Sequence, residues 1–317
     1  MAKRRAQPHP VPARSSLPSA PDPSHAGRVI ASFGAIASVE DDAGQLHRCH
    51  VRRNIHGVVC GDRVRWCPGS GGDAVIVERL ARASLLERRE RGQAKPMAAN
   101  IDQIMVVMAT QPAINETLID RYLAVAAHQH LNAHLVINKC DLIEDTQAAA
   151  IEARLAEYRR IGYPVLYSSV RSEHGLDTLR RDLRGHVSLL VGPSGVGKSS
   201  LVKALLPDRD IRIGALSEAS GTGRHTTTAA MLYHLMDGGD LIDSPGMSEF
   251  MPADFPTEAL ADGFIEFRPY LGQCRFRDCR HDAEPGCALQ AAVSAGQVSP
   301  QRLTSYHQLR VALHENR

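Results

Sequence analysis

The run Gly192-Pro193-Ser194-Gly195-Val196-Gly197-Lys198-Ser199 fits the pattern GxxxxGK[ST], with the apolar stretch HVSLLV before it and Ser200 opening a helical stretch after it. Glycines let successive backbone amides wrap a polyphosphate, and the following helix N-terminus adds positive potential. A lysine in the place of Lys198 reaches the β and γ oxygens, and a hydroxyl in the place of Ser199 ligates magnesium. Further on, Leu241-Ile242-Asp243-Ser244-Pro245-Gly246 ends an apolar run in a DxxG arrangement. Asp243 is placed to hold the magnesium through water, and the Gly246 amide to meet the γ-phosphate. A second constellation lies upstream, at Asn138-Lys139-Cys140-Asp141. A carboxylate at Asp141 accepts from both N1–H and the N2 amino group of guanine, a donor pair that adenine lacks. Lys139 packs across the ring and Asn138 ties the clamp to neighbouring loops. Ser168-Ser169 follows the next apolar run, where a loop over guanine O6 belongs. GTP or GDP with Mg2+ is therefore the expected ligand.

The order of these pieces is reversed. An ordinary Ras-type domain places the phosphate loop first and the guanine clamp near its end, whereas here the clamp and guanine loop precede it. Circular permutation gives this order, and it is tolerated where the original termini lie close together on the surface. It makes switch II the exit of the domain, so the nucleotide state is expected to pass through Pro245 to Pro256 into whatever follows. Ras-like enzymes orient the attacking water with a glutamine directly after DxxG, and this chain has Met247 there. The stretch Gly221 to Thr228, GTGRHTTT, lies where switch I belongs and offers an imidazole beside three hydroxyls. Thr227 is expected to close on magnesium, His225 to position the water, and Arg224 to stabilise charge; the catalytic candidates are His225, Lys198 and Thr227. Met247 also leaves open an RNA-binding scaffold with a nearly inactive switch.

A third constellation is Cys274-(x4)-Cys279-x-His281-(x5)-Cys287. Three thiolates and one imidazole match tetrahedral zinc at a closed structural site, with no coordination position left for catalysis. Arg268, Arg275, Arg277, Arg280 and Arg302 surround the cluster in sequence. They are read as a cationic knob suited to phosphate backbones.

These residues must be held by elements that the rest of the pattern supplies. The chain has 317 residues, 43% hydrophobic and 23% charged, with net charge +2. Its apolar runs fall short of the roughly 18 residues that span a bilayer. From Gly27 to about Leu86, β-branched runs broken by Gly, Asp and Pro read as a barrel or sandwich of about five strands. Arg48, His50, Arg52, Arg53, Arg63 and Arg65 alternate with apolar positions there, on one cationic or merely solvated face. Glu87 to Asn100 reads as a linker or loop. After it, strands and helices alternate as in a parallel sheet covered on both faces, and Pro300 to Glu315 reads as a terminal helix. Lys3, Arg4, Arg5, Arg14 and Arg28 face a single acid, Asp22, within a proline-rich start that reads as a solvated basic tail. Of seven cysteines, Cys49, Cys60, Cys67 and Cys140 are scattered, and the odd count with one Cys/His cluster points to a reducing compartment.

Taken together, the small barrel, the clamp-before-loop order, GRHTTT, DSPG and CRFRDCRHDAEPGC resemble the RsgA (YjeQ) family of circularly permuted GTPases, from about Gly27 to the C-terminus. The resemblance implies a multidomain chain. A basic tail over 1–26 precedes an N-terminal all-β OB-fold barrel that binds RNA over 27–90. A central α/β circularly permuted P-loop GTPase follows over 96–252, then a C-terminal zinc-binding domain with helices over 253–317. It implies a cytoplasmic GTP hydrolase with one Zn2+ per chain, stimulated by the 30S ribosomal subunit and bound to 16S rRNA near the decoding region late in maturation. It acts as a monomer with neither DNA nor membrane as partner, and leaves on GTP hydrolysis. The family assigns catalysis to the histidine of GRHTTT, here His225. One departure is DSPG where the family commonly has DTPG. A GTPase acting on another RNA remains the rival reading.

Overall fold

A computed structural model describes residues 24–69, 72–90, 93–207, 230–243 and 255–315 of the 317. Strands β1 (His25–Ser32), β2 (Ile36–Glu40), β3 (Leu46–Val51), β4 (Arg63–Pro68) and β5 (Ala74–Arg79) form the expected five-stranded unit. They pair in the order β1-β2-β3-β5-β4, and β4 returns to β1, closing a barrel. The alternation that predicted these strands also fills the interior. Val64 and Trp66 of β4 point in, with Val29, Val39, Cys49 and Ile76, while Arg63 and Arg65 stay exposed.

The segment read as a linker is instead an antiparallel hairpin, β6 (Leu85–Glu90) with β7 (Gln93–Ala99). The charged run from Glu87 to Glu90 hides its period of two. Only its roots are apolar: Leu86, Ala98 and Ala99 are buried, and the Ala99 amide donates to the Cys60 carbonyl of the barrel at 2.9 Å.

The central domain follows the predicted alternation. Strands β8 (Gln103–Ala109), β9 (Asn132–Asn138), β10 (Val165–Tyr167), β11 (Val187–Val191), β12 (Met231–His234) and β13 (Asp240–Asp243) lie in the order β10-β9-β8-β11-β13-β12. All neighbours are parallel except β12 and β13. β8 is buried at every position, as a central parallel strand covered on both faces must be. Helices α1 (Glu116–His128), α2 (Asp145–Ile161), α3 (Asp177–Leu183) and α4 (Lys198–Leu205) cover it. Asn115 caps α1 by accepting from the Leu118 amide at 3.0 Å. At the far edge β12 pairs with β1 through Ala31 and Met231, so barrel and central domain share one 11-stranded sheet.

The remainder is helical: α5 (Leu260–Gly263), a 3-10 stretch Ile265–Tyr270, α6 (Ala288–Ser294) and the expected terminal helix α7 (Pro300–Glu315). Arg302, read above as part of the cationic knob, is only 2% exposed. It projects from α7 onto Asp120 of α1 at 2.5 Å and onto Glu266 at 2.6 Å, with its guanidinium over the Phe264 ring at 4.4 Å. Asp120 is fully buried and also accepts from the Tyr158 hydroxyl of α2 at 2.7 Å, so the arginine is drawn inward as counter-charge. Burial raises the Asp120 carboxyl above the ordinary carboxylate range, and Arg302 opposes that shift.

Candidate nucleotide and metal sites

Three loops that leave the C-terminal ends of parallel strands converge, as ligand sites of open α/β sheets do. Asn138, at the end of β9, is buried and acts as the hub. Its Nδ2 donates to the Val196 carbonyl of the phosphate loop at 2.9 Å, and its Oδ1 accepts from the Ser168 hydroxyl of the loop after β10 at 3.1 Å. One side chain thus ties the phosphate loop to the guanine loop. The Cys140 amide donates to the Ser168 carbonyl at 3.1 Å, which adds a backbone tie between the clamp after β9 and the loop after β10.

Asp141 receives the Ser169 hydroxyl on Oδ1 at 2.5 Å, and Ser169 Oγ in turn accepts from the Arg171 amide at 3.0 Å. Lys139 adopts φ 56°, a left-handed conformation that sends its side chain back across the pocket. Its Nζ donates to the Gly195 carbonyl at 2.6 Å and to the Gln111 carbonyl at 3.2 Å. Gln111, in the loop after β8, is a contributor that the sequence reading did not find. Its part is played by a backbone carbonyl, which no side-chain pattern records.

The phosphate loop is shaped by glycines at two close approaches. A Cβ on Gly192, at φ 141°, would lie 2.1 Å from the Val107 carbonyl oxygen, and one on Gly197, at φ 93°, would lie 2.6 Å from Asn138 Nδ2. Lys198 Nζ donates to the Gly192 and Pro193 carbonyls at 2.7 and 2.6 Å, holding the ammonium over the loop. Val196 is buried beneath the loop, while Ser194, Gly195, Ser199 and Ser200 are exposed, on the side where phosphates and a magnesium ion would sit. Asp243 ends β13, one residue past the Leu189–Ile242 pairing with the strand that delivers the loop. A hydroxyl at the first turn of α4 and a carboxylate at the end of the adjacent strand suit a hard cation. Arg224, His225, Thr227, Gly246 and Met247 lie outside the described residues.

The cysteine and histidine spacing also closes in space. One ligand atom each from Cys274, Cys279, His281 and Cys287 falls within 4.8 Å of the others. His281 Nδ1 lies 3.5 Å from both Cys274 Sγ and Cys287 Sγ, and those sulfurs are 4.0 Å apart. Zinc–sulfur bonds of about 2.3 Å and zinc–nitrogen bonds of about 2.0 Å in a tetrahedron require edges of about 3.5 and 3.8 Å, so the residues fit the ion. Burial, and then the neighbouring Cys274 and Cys287 sulfurs, push the Cys279 thiol up to about 12, a shift that a bound cation would oppose. Burial also holds His281 below the ordinary histidine range, in the neutral form a ligand needs. Around the cluster Arg275, Arg277 and Arg280 are exposed, and the Arg268 guanidinium is engaged by Asp262 at 3.3 Å. On the barrel, Arg48 and His50 share Asp73 at 3.6 and 2.9 Å, which trims the charge of that face.

The clamp strand β9 and the guanine-loop strand β10 precede β11 in sequence yet share its parallel sheet, across β8 from it, an arrangement that defines a circularly permuted P-loop GTPase. Comparison with known proteins narrows the class. Residues 79–252 match the family described as RsgA GTPase. The small ribosomal subunit biogenesis GTPase RsgA of Azotobacter vinelandii is 51% identical over 298 residues, covering 92% of this chain and 87% of that protein. The protein of the same name from Ectopseudomonas mendocina is 50% identical over 299 residues, covering 93% and 87%. The crystal structure of YjeQ from Thermotoga maritima superposes with a TM-score of 0.76 at 30% identity, over 93% of this chain and 100% of that one. YloQ, described as a circularly permuted GTPase, gives 0.73 at 27% identity, over 93% and 96%. The chain belongs to the RsgA GTPase family, and is a GTP-hydrolysing enzyme.

Proposed function

We propose that this GTPase serves late assembly of the small ribosomal subunit in the cytoplasm. In this reading it binds 16S rRNA near the decoding region as a monomer, through the barrel and the arginine-bearing zinc domain, and leaves when GTP is hydrolysed. The observation that carries the proposal is the 51% identity, over 92% of the chain, to a protein named for small-subunit biogenesis. In keeping with a chain that works in solution, no helix among the described residues is long and apolar enough to cross a membrane.

In this mechanism Asp141 accepts from guanine N1–H and the N2 amino group, Ser168 and Ser169 close over O6, and Lys139 lies along the ring. The amides from Gly192 to Ser200 and the Lys198 ammonium hold the β- and γ-phosphates. Ser199, Thr227 and Asp243 are the residues that would hold magnesium, which when bound neutralises charge on the β and γ oxygens. The Gly246 amide meets the γ-phosphate. His225 accepts a hydrogen bond from the attacking water and aligns it with the γ-phosphorus as the bond to the bridging oxygen breaks. Arg224 offsets the charge that develops there. Cys274, Cys279, His281 and Cys287 hold one structural zinc and take no part in the chemistry.

Multiple-turnover phosphate release with and without purified 30S subunits tests the proposal. Turnover that rises with small subunits and stays level with large ones is expected. A rate indifferent to both overturns the partner, and negligible turnover in every condition favours the scaffold reading.

A further inference from the structure

The hairpin of β12 and β13 is where the central sheet meets the barrel, and at its outer end His234 and Asp240 join two barrel residues in a row of alternating charges. His234 of β12 places Nδ1 2.6 Å from Asp240 of β13, and Nε2 2.8 and 3.0 Å from the two carboxylate oxygens of Glu40 on barrel strand β2. Arg28 of β1 reaches the other oxygen of Asp240 at 2.5 Å. Glu40 and Arg28 belong to the barrel, His234 and Asp240 to the central domain, so the chain of contacts crosses the boundary twice. Another acid of that hairpin, Asp237 of its turn, faces Arg184 at 3.7 Å and Arg180 at 4.0 Å.

An ionised carboxylate has no proton to give. An imidazole with a carboxylate at each nitrogen can satisfy both only when both nitrogens carry hydrogen. Neutral histidine would leave one acceptor facing a lone pair, and the cluster with an excess negative charge. The far end of β13 is Asp243, three residues and about 10 Å from Asp240 along the strand. A charged clasp to the barrel and the aspartate of the magnesium site therefore share one short, rigid element.

We propose that His234 is a positioning residue that, by bridging Glu40 and Asp240, transmits engagement of the barrel by RNA to Asp243 and so raises GTP turnover; this rests on the reading that the barrel binds the small subunit. The bridge exists while His234 is protonated. Its hydrogen bond to Asp240 lifts it above the ordinary histidine range, with the Glu40 charge adding to the shift and partial burial opposing it. Burial works against ionisation of Asp240, yet the hydrogen bonds from His234 and Arg28 keep its carboxyl below the ordinary range. The sign follows: coupling is complete below the usual histidine range and is lost as pH rises through the elevated value. His234 is 48% exposed, so the clasp adds little to stability and its loss leaves the fold intact.

The test uses the full chain with His234→Gln and Glu40→Gln. Intrinsic GTP turnover and subunit affinity should match wild type in both, while the stimulation by 30S subunits falls at least tenfold. Wild-type stimulation should decline on the alkaline side of the histidine range, and the His234→Gln variant should show no such step. Nuclear magnetic resonance of the imidazole should place its titration above the ordinary value, moving down in Glu40→Gln. Undiminished stimulation in both variants, or an imidazole that titrates at or below the ordinary value, overturns the coupling alone. A wild-type protein that subunits do not stimulate overturns the subunit reading, and the coupling with it.

Discussion

Asp141 has one carboxylate oxygen engaged by the Ser169 hydroxyl, which would fix the plane in which the proposed clamp meets guanine. Asp141→Asn puts an amide donor against the donors of guanine. Two charge-assisted hydrogen bonds are lost, and GTP affinity should fall by about 100-fold or more, read by titration with a fluorescent analogue. Unchanged affinity would remove Asp141 from the clamp. For His225→Ala, turnover should drop by about 100-fold or more while nucleotide affinity survives, since aligning and polarising water is worth that much. Unchanged turnover in single-turnover assays would clear the histidine of that role. Gly192→Ala is a purely steric case: the new methyl would meet the Val107 carbonyl in a backbone conformation that L-residues avoid. Nucleotide binding should be lost, and a variant that binds GTP normally would show that the loop relaxes at no cost.

Among the elements, α7 does the joining. Its N-terminal half inserts Arg302 against α1, and further along His307 Nε2 donates to the His281 carbonyl at 2.8 Å, inside the metal loop. Arg302→Met would leave Asp120 and Glu266 buried without counter-charge, at a cost of about 3–5 kcal/mol, seen as a lower unfolding midpoint. The deficit should shrink as pH falls. Without the guanidinium the folded-state carboxyl of Asp120 is held still further above its unfolded value, so protonation relieves the folded form. A change within about 0.5 kcal/mol would class Arg302 with ordinary surface residues. The chain re-enters the described structure at Phe255, buried with its ring centroid 5.1 Å from that of His128 on α1.

The contrast between these elements explains what was legible. The candidate phosphate loop, guanine clamp and Cys/His cluster are legible because the chemistry proposed for them dictates residue types at short spacing, and the strands because β8 or β4 carries its burial pattern along its own length. Arg302 was misread because its partner Asp120 lies 182 residues away, and nothing local distinguishes a buried arginine from a solvated one. The clasp around His234 was missed for the same reason, and the hairpin β6–β7 because its apolar signal is confined to its roots.

At the scale of the whole molecule, the Cys274–Cys287 loop, α7 and the GTPase core form a series. Removing the metal with a chelator should free the Cys274–Cys287 loop, loosen α7 and lower the unfolding midpoint, while guanine binding is retained; near-ultraviolet dichroism and nucleotide titration check both. An unfolding midpoint indifferent to chelation would mean that thiols and imidazole pack stably without an ion. The pairing of α1 with α7 has a consequence for how the chain is made. Thr117 meets Gln308 at 2.7 Å across 191 residues, so α1 is closed only once α7 has been synthesised. Until then Asp120 on α1 lacks the Arg302 counter-charge, and contacts of such separation are slow to form and exposed to aggregation. Removal of α7 should therefore harm yield more than catalysis, with nascent chains relying on chaperones until that helix has emerged.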